Sequence, residues 1–263
     1  IYAGAMSLAW NDLNENILHE KLNLNTDNLE ALTTLKKLNN SSFSKADLDI
    51  PSYYIKSGYG PKTLDIINQE VKQKFPEKSF SDLKLNLADT DIIAYGYLLK
   101  QVEYAIPFKV DQLDFNGNLS VLPDQTKPVD SVKGLIADNA KQKENINILK
   151  YWNDDKFIIS LKLKDNSDEL FLAKGFDLKT PDDLITAINQ NNTENTEKMK
   201  ESDIFKMPSL SFDYQRVFEE MIGQKLANQN FQSYVISTML ENIKFKMDEK
   251  GARVENEAVI VAA

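Results

Sequence analysis

The sequence predicts a mixed α+β fold, and two observations carry that prediction. Apolar residues recur at helical spacing in the first third of the chain, whereas β-branched and aromatic runs, several alternating with polar residues, dominate the remainder. Regular βαβ alternation is absent, which argues against a parallel doubly wound sheet.

In order along the chain, Leu8, Leu13, Ile17 and Leu22 fall at near-helical spacing, and Leu29, Leu32, Leu35 and Leu38 do so again after Thr26, which suits an N-cap. "SYYIKSGYG" reads as a strand, and "PKTLDIINQEVKQKF" sets Leu64, Ile67, Val71 and Phe75 on one helical face. "DIIAYGYLLKQVEYAIPF" is long, aromatic and β-branched, which suits a strand buried on both faces. Asn116 and Gly117 signal a turn, and the segment around Asn153 to Asp155 signals a hairpin. Thr180, Pro181 and Asp183 form a helix start with capping-box spacing. A polar loop follows, then a strand ending at Pro208 and a helix carrying Val217, Phe218, Met221 and Ile222. Ile243, Phe245 and Met247 alternate with polar residues in a late strand.

At 263 residues with 42% apolar content the chain can bury a large core. A net charge of −9, with no Lys/Arg cluster to offset it, argues against nucleic-acid binding. No apolar run reaches the ~20 residues of a membrane-spanning helix, so no membrane partner is expected. The absence of Cys removes thiolate nucleophiles, Cys-based zinc sites and disulfides. His19 is the only histidine and sits among polar residues, so neither a multi-histidine metal site nor a Ser-His-Asp arrangement is supported. Gly58 and Gly60 lack the rest of a phosphate loop, and "DFNGN" lacks the ligands of a calcium loop. No enzyme, cofactor or metal is expected.

The closing residues split by parity. Ala252, Val254, Asn256, Ala258, Ile260 and Ala262 make a small, mostly apolar side; Arg253, Glu255, Glu257, Val259, Val261 and Ala263 make a side that begins charged. Such a segment suits an ordinary terminal strand, or one lying between two others with Asn256 needing a hydrogen-bond partner.

The order of segments resembles a serpin from about Gly4 onward. "KFKMDEKGARVENEA" is similar to the hinge of the serpin reactive loop, "IFKMPSLSFDYQRVFEEMIG" to the strand-Pro-helix segment, and "ILKYWNDDKFIISLKLKDN" to the hairpin of that family. "INQEVKQKF" followed by "DIIAYGYLLKQVEYAIPF" resembles its helix and central strand. The resemblance implies a large central sheet with packed helices and a second, smaller sheet. It implies one domain over 1–263, incomplete at both ends, with 249–263 as hinge and inserted strand between the strands near Ile92 and near Ile236. Hinge positions are then Glu249, Lys250, Gly251, Ala252, Arg253, Val254, Glu255, Asn256, Glu257 and Ala258, with Arg253, Glu255 and Glu257 directed outward.

Departures from the family fall in the region through which its sheet opens: Tyr104 stands where Trp is usual, Gly96 for Asn, and Glu241 for His. In the hinge, Ala252 stands for Thr/Ser, and Val254, Glu255, Asn256 and Glu257 replace an alanine run. In the family's register the cleaved bond falls just past Ala263, so a separate C-terminal peptide is an expected partner. The implied function is suicide inhibition of a serine or cysteine protease in a secreted, extracellular or periplasmic setting. A non-inhibitory serpin-fold protein and an unrelated α+β binding domain are the alternatives.

Overall fold

The computed structural model describes residues 4–122, 125–177, 181–192 and 197–263. Helix α1 (Gly4–Asp12) continues into a π-helical turn (Leu13–Leu18) that stops at His19, which adopts left-handed backbone with φ 57°. Strand β1 (Leu24–Asn25) precedes helix α2 (Leu29–Asn39), strand β2 (Tyr53–Tyr59) and helix α3 (Gly60–Lys74). Next come strands β3 (Ile92–Glu103), β4 (Lys109–Leu122) and β5 (Gln125–Ala137), a short helix α4 (Ala140–Lys143), and strands β6 (Ile146–Asn153), β7 (Lys156–Leu161) and β8 (Leu170–Lys174). Helix α5 (Pro181–Asn191) leads to β9 (Glu197–Lys198), β10 (Phe205–Pro208), β11 (Leu210–Val217), β12 (Lys225–Leu226), β13 (Ile236–Met247) and β14 (Gly251–Ala262). Among these residues no helix is long and apolar enough to cross a membrane.

The largest sheet has five strands in the order β11-β13-β14-β3-β2. A four-stranded sheet runs β8-β7-β6-β9, a three-stranded one β10-β5-β4, and β1 pairs with β12. The chain divides into two compact units, one of Gln101–Ser211 with Phe245–Arg253, the other of Tyr2–Lys100, Phe212–Lys244 and Val254–Ala263.

In the second unit, β3 is buried without interruption from Ile92 to Leu98. Successive side chains of a strand point to opposite faces, so an unbroken buried run needs cover on both. Ile92 and Ala94 join a cluster with Ala5, Ala9 and Trp10 of α1, while Ile93, Tyr95 and Tyr97 join Leu64, Ile67 and Val71 of α3. Tyr97 packs between Phe75 and Phe80 at ring separations of 4.8 and 4.9 Å. In the first unit, Tyr104, Phe108, Leu135, Ile146, Ile159, Met207 and Met247 form a separate core.

Three local expectations fail. Asn116 and Gly117 do not form a hairpin turn: β4 runs through them to Leu122, with a register shift against β5 between Asp114 and Gly117. Bulges absorb an extra residue within a strand and draw on the same Gly-rich signal as turns. The helix over Val217 to Ile222 is also absent. Val217 ends strand β11, which lies beside β13, and Phe218 to Ile222 form only tight turns before Gly223 takes left-handed backbone at φ 83°. Strand pairing wins over a periodicity too short to nucleate a helix. The cap of α2 is Asn28, whose side chain accepts from the N–H groups of Glu30 and Ala31; Thr26 instead accepts from Asn28 N–H. Thr180 and the side chain of Asp183 lie outside the described residues.

Candidate functional site: a central strand and its polar seat

Strand β14 occupies the middle of the largest sheet, between β13 and β3. Its end in the first unit is fastened at the turn that joins it to β13. Asp248 N–H donates to Gly251 O at 3.0 Å, and Lys250 N–H to Asp248 Oδ1 at 2.9 Å. From the neighbouring chain, Tyr104 N–H donates to Lys250 O at 2.9 Å and Phe108 N–H to Glu249 O at 2.8 Å. Glu249 also pairs with Lys133 at 3.1 Å, in an exposed position where such a pair contributes little. A side chain at Gly251 would set its Cβ 2.0 Å from Val102 O, so glycine is required by the approach of the end of β3. Ala252 is buried in the Tyr104 core, and Arg253 reaches Gln101 Oε1 at 3.5 Å.

Tyr104 is a core residue rather than part of any polar cluster. Its ring meets Phe108 edge-on at 5.0 Å, and its buried hydroxyl has no hydrogen-bond partner among the described residues. Burial, with a smaller contribution from the Asp248 charge, holds the phenol above its ordinary range. An unpaired buried hydroxyl costs free energy. Tyr104→Phe is therefore expected to leave stability unchanged or raise it by up to about 1 kcal/mol in urea denaturation. A loss larger than that would mean the hydroxyl makes a bond to ordered water.

In the second unit, parity divides β14 between two environments. Ala258, Ile260 and Ala262 pack in the α1 cluster, whereas Val259 and Val261 pack with Ile67 and Val71 of α3. Val254 is half-buried. Glu255 and Glu257 do not project freely into solvent, contrary to the sequence expectation. Glu255 pairs with Lys78 at 2.5 Å with only 17% of its side chain exposed, and Glu257 accepts from the buried Tyr95 hydroxyl at 2.8 Å. Residues after α3 cover this face, and that cover reaches it from far along the chain. Neither Lys78 nor Tyr95 carries a local signal that would have named it. Desolvation and the Glu257 carboxylate together hold the Tyr95 phenol far above its ordinary range.

Asn256 is fully buried, and every polar hydrogen and acceptor of its amide is used. Ala5 N–H donates to its Oδ1 at 2.6 Å, and its Nδ2 donates to Glu241 Oε1 at 3.1 Å and to Asn242 O at 3.0 Å. Met6 N–H donates to the same Glu241 oxygen at 3.4 Å. Ala5 and Met6 are in the first turn of α1, where helix N–H groups lack internal partners. Asn256 and Glu241 thus cap a helix from a different element. Gly96 lies against the same turn: a Cβ there would stand 2.4 Å from Ala5 O and 3.2 Å from Ala9 N. The fold therefore brings Gly96, Glu241 and Asn256 together and leaves Tyr104 elsewhere.

No family model matches this chain, and no curated protein does. Solved structures do. Cleaved Serpin 42Da superposes with a TM-score of 0.55 at 12% identity, covering 91% of this chain and 78% of that one. Ovalbumin from emu gives 0.53 at 9% identity, covering 97% and 87%. Reaction-loop-cleaved lamprey angiotensinogen gives 0.50 at 7% identity, covering 91% and 85%. At these identities the likeness is one of fold: the chain has a divergent serpin-like fold.

Proposed function

We propose that this protein is a protease inhibitor of the suicide-substrate type. In this reading a target serine or cysteine protease cuts an exposed loop, and the segment upstream of the cut enters the largest sheet as β14. Backbone pairing on both sides and burial of Ala252, Ala258, Val259, Ile260 and Val261 drive the change that traps the enzyme. The protein contributes stored free energy rather than catalysis.

The observation that carries the reading is the position of Gly251–Ala262 between β13 and β3, with Ala258 to Ala262 buried on both faces. Two of the similar folds are described as cleaved forms, which agrees with it. A secreted, extracellular or periplasmic setting and a separate C-terminal peptide belong to the same proposal. Incubation with a panel of serine and cysteine proteases tests it: a covalent complex that survives denaturing electrophoresis is expected for at least one enzyme. Cleavage of the loop by every reactive enzyme, with no such complex, would overturn it. That outcome would favour the second reading, a serpin-fold protein without inhibitory activity. The observation behind this alternative is that Val254, Glu255, Asn256 and Glu257 fill the stretch with bulk and charge that must be matched to partners before the strand can seat.

A further inference from the structure

The polar group at the first turn of α1 is assembled from three elements, and one of its members travels with β14. Glu241 comes from β13, Ala5 and Met6 from α1, and Asn256 from β14. Among the described residues, Asn256 is the acceptor for Ala5 N–H and the link from that amide to Glu241. With β14 unseated, Glu241 would keep Met6 N–H alone from this set and Ala5 N–H would lose its partner. At Gly96 the adjoining strand β3 supplies no side chain to take over, and the close approach of Ala5 O leaves room for none.

We propose that Glu241 and Asn256 form a pH-responsive latch for β14 at the first turn of α1, in which the cost of burying the Glu241 charge outweighs the Asn256 hydrogen bond that favours it, so that the strand is held more tightly when the carboxyl is neutral. The inference rests on the reading of residues 251–262 as an inserting strand, and it adds a condition on that insertion. A protonated carboxyl can accept from Met6 and Asn256 while avoiding a buried charge; an ionised one must be desolvated as the strand closes over it. Burial pushes the Glu241 carboxyl up to about 7, against the opposing hydrogen bonds from Asn256 and Met6. Among the described residues, the charged group that acts on it is Arg216 of β11, which favours the ionised form. From α1 it meets main-chain amides and from β14 the neutral amide of Asn256.

Because the folded value lies above that of the unfolded carboxyl, the stability Glu241 contributes is complete below the ordinary carboxylate range. It is lost as pH rises through about 7.

Thermal unfolding followed between about pH 4.5 and pH 9, with hydrogen exchange of the β14 amides at each pH, tests the latch. The Tm is expected to fall by about 5 to 10 °C through this window, with exchange of the residue 252–262 amides rising in step. Glu241→Gln, which mimics the neutral carboxyl, is expected to abolish both the fall and the exchange change. If that variant does not fold, Asn256→Ala serves instead. Removing the amide donor that favours the ionised form is expected to move the midpoint of the transition to higher pH. An unchanged pH dependence in Glu241→Gln, an unchanged midpoint in Asn256→Ala, or a fall in Tm without faster exchange in β14 would each overturn the proposal. Loss of inhibition in every protease assay would overturn the function proposed above and leave these measurements intact, because they are made on a chain whose β14 is already seated.

Discussion

Cleavage of the loop is expected to raise the melting temperature by about 15 °C or more, because the sheet gains a central strand. The estimate follows from burial. Ala258, Val259, Ile260, Val261 and Ala262 are each at most 3% exposed in β14. Burying a Val or Ile side chain contributes roughly 1.5 to 3 kcal/mol. Three such residues, with two alanines besides, come to the order of 5 to 10 kcal/mol, and the new backbone hydrogen bonds to both neighbours, roughly 1 kcal/mol each, offset most of the entropy of ordering the segment. A domain of this size gains about 2 to 4 °C for each kcal/mol. Differential scanning calorimetry of the protein before and after loop cleavage measures the difference. No rise would mean that the segment does not enter the sheet on cleavage. A companion variant localises the effect. Ala258 is fully buried among Ala5, Met239 and Ile260, and Ala258→Arg would force a long cation into that cluster. The rise on cleavage is expected to vanish in this variant, while the uncleaved protein melts within about 2 °C of the wild type, since the site is then unoccupied.

Gly96→Ala is expected to be strongly damaging for so small a substitution, at about 2 to 4 kcal/mol in urea denaturation. The new Cβ would stand 2.4 Å from the carbonyl oxygen of Ala5 and 3.2 Å from Ala9 N. Both are backbone atoms of a helix, so relief requires α1 to move as a body away from β3. Such a movement would also lengthen the bonds from Ala5 to Asn256 and from Met6 to Glu241. Gly58→Ala is a useful contrast. Its nearest clash, 2.5 Å, is with the hydroxyl of the Thr63 side chain, which can rotate at the expense of its own bond to Tyr59 O. A smaller loss is expected there. Equal losses at the two positions would show that strand propensity, not the approach of α1, sets the cost.

Much of the fold was legible because hydrophobic pattern fixes which face of an element is covered. The unbroken apolar run of β3 marked a strand covered on two sides, and the spacing of Leu64, Ile67 and Val71 marked the buried face of α3. The even-numbered side of the closing strand was likewise visible in the small residues that pack on α1. What escaped was decided by pairing between distant segments. Val217 to Ile222 carry a helical pattern, yet β11 lies beside β13 and the helix does not form. The resemblance grouped Gly96, Glu241 and Tyr104 in one sheet-opening region, but Tyr104 belongs to a different core. In space Gly96 and Glu241 meet at one turn of α1, where Asn256 supplies the amide that links them. Glu255 and Glu257 read as solvent-facing by charge alone, because a sequence gives no sign that Lys78 and Tyr95 wait opposite them.

The short turn at Asp248 to Lys250 bears on the order of events during strand entry. Its ends are tied by Asp248 N–H to Gly251 O and by Tyr104 N–H to Lys250 O, so the first residues of β14 are held next to their final neighbours. Closing a short loop costs little entropy, and each later residue is then added to a growing ladder. Under the proposed insertion, entry would zip from Gly251 toward Ala262, with Ala252 and Val254 engaged early, Asn256 at the midpoint and Ile260 last. Substitutions near the turn should slow the start of zipping, whereas those beyond Asn256 should leave the start intact and stall the strand half-way. In the proposed inhibitor, an early block would lower the fraction of enzyme trapped, and a late block would leave the strand half-seated.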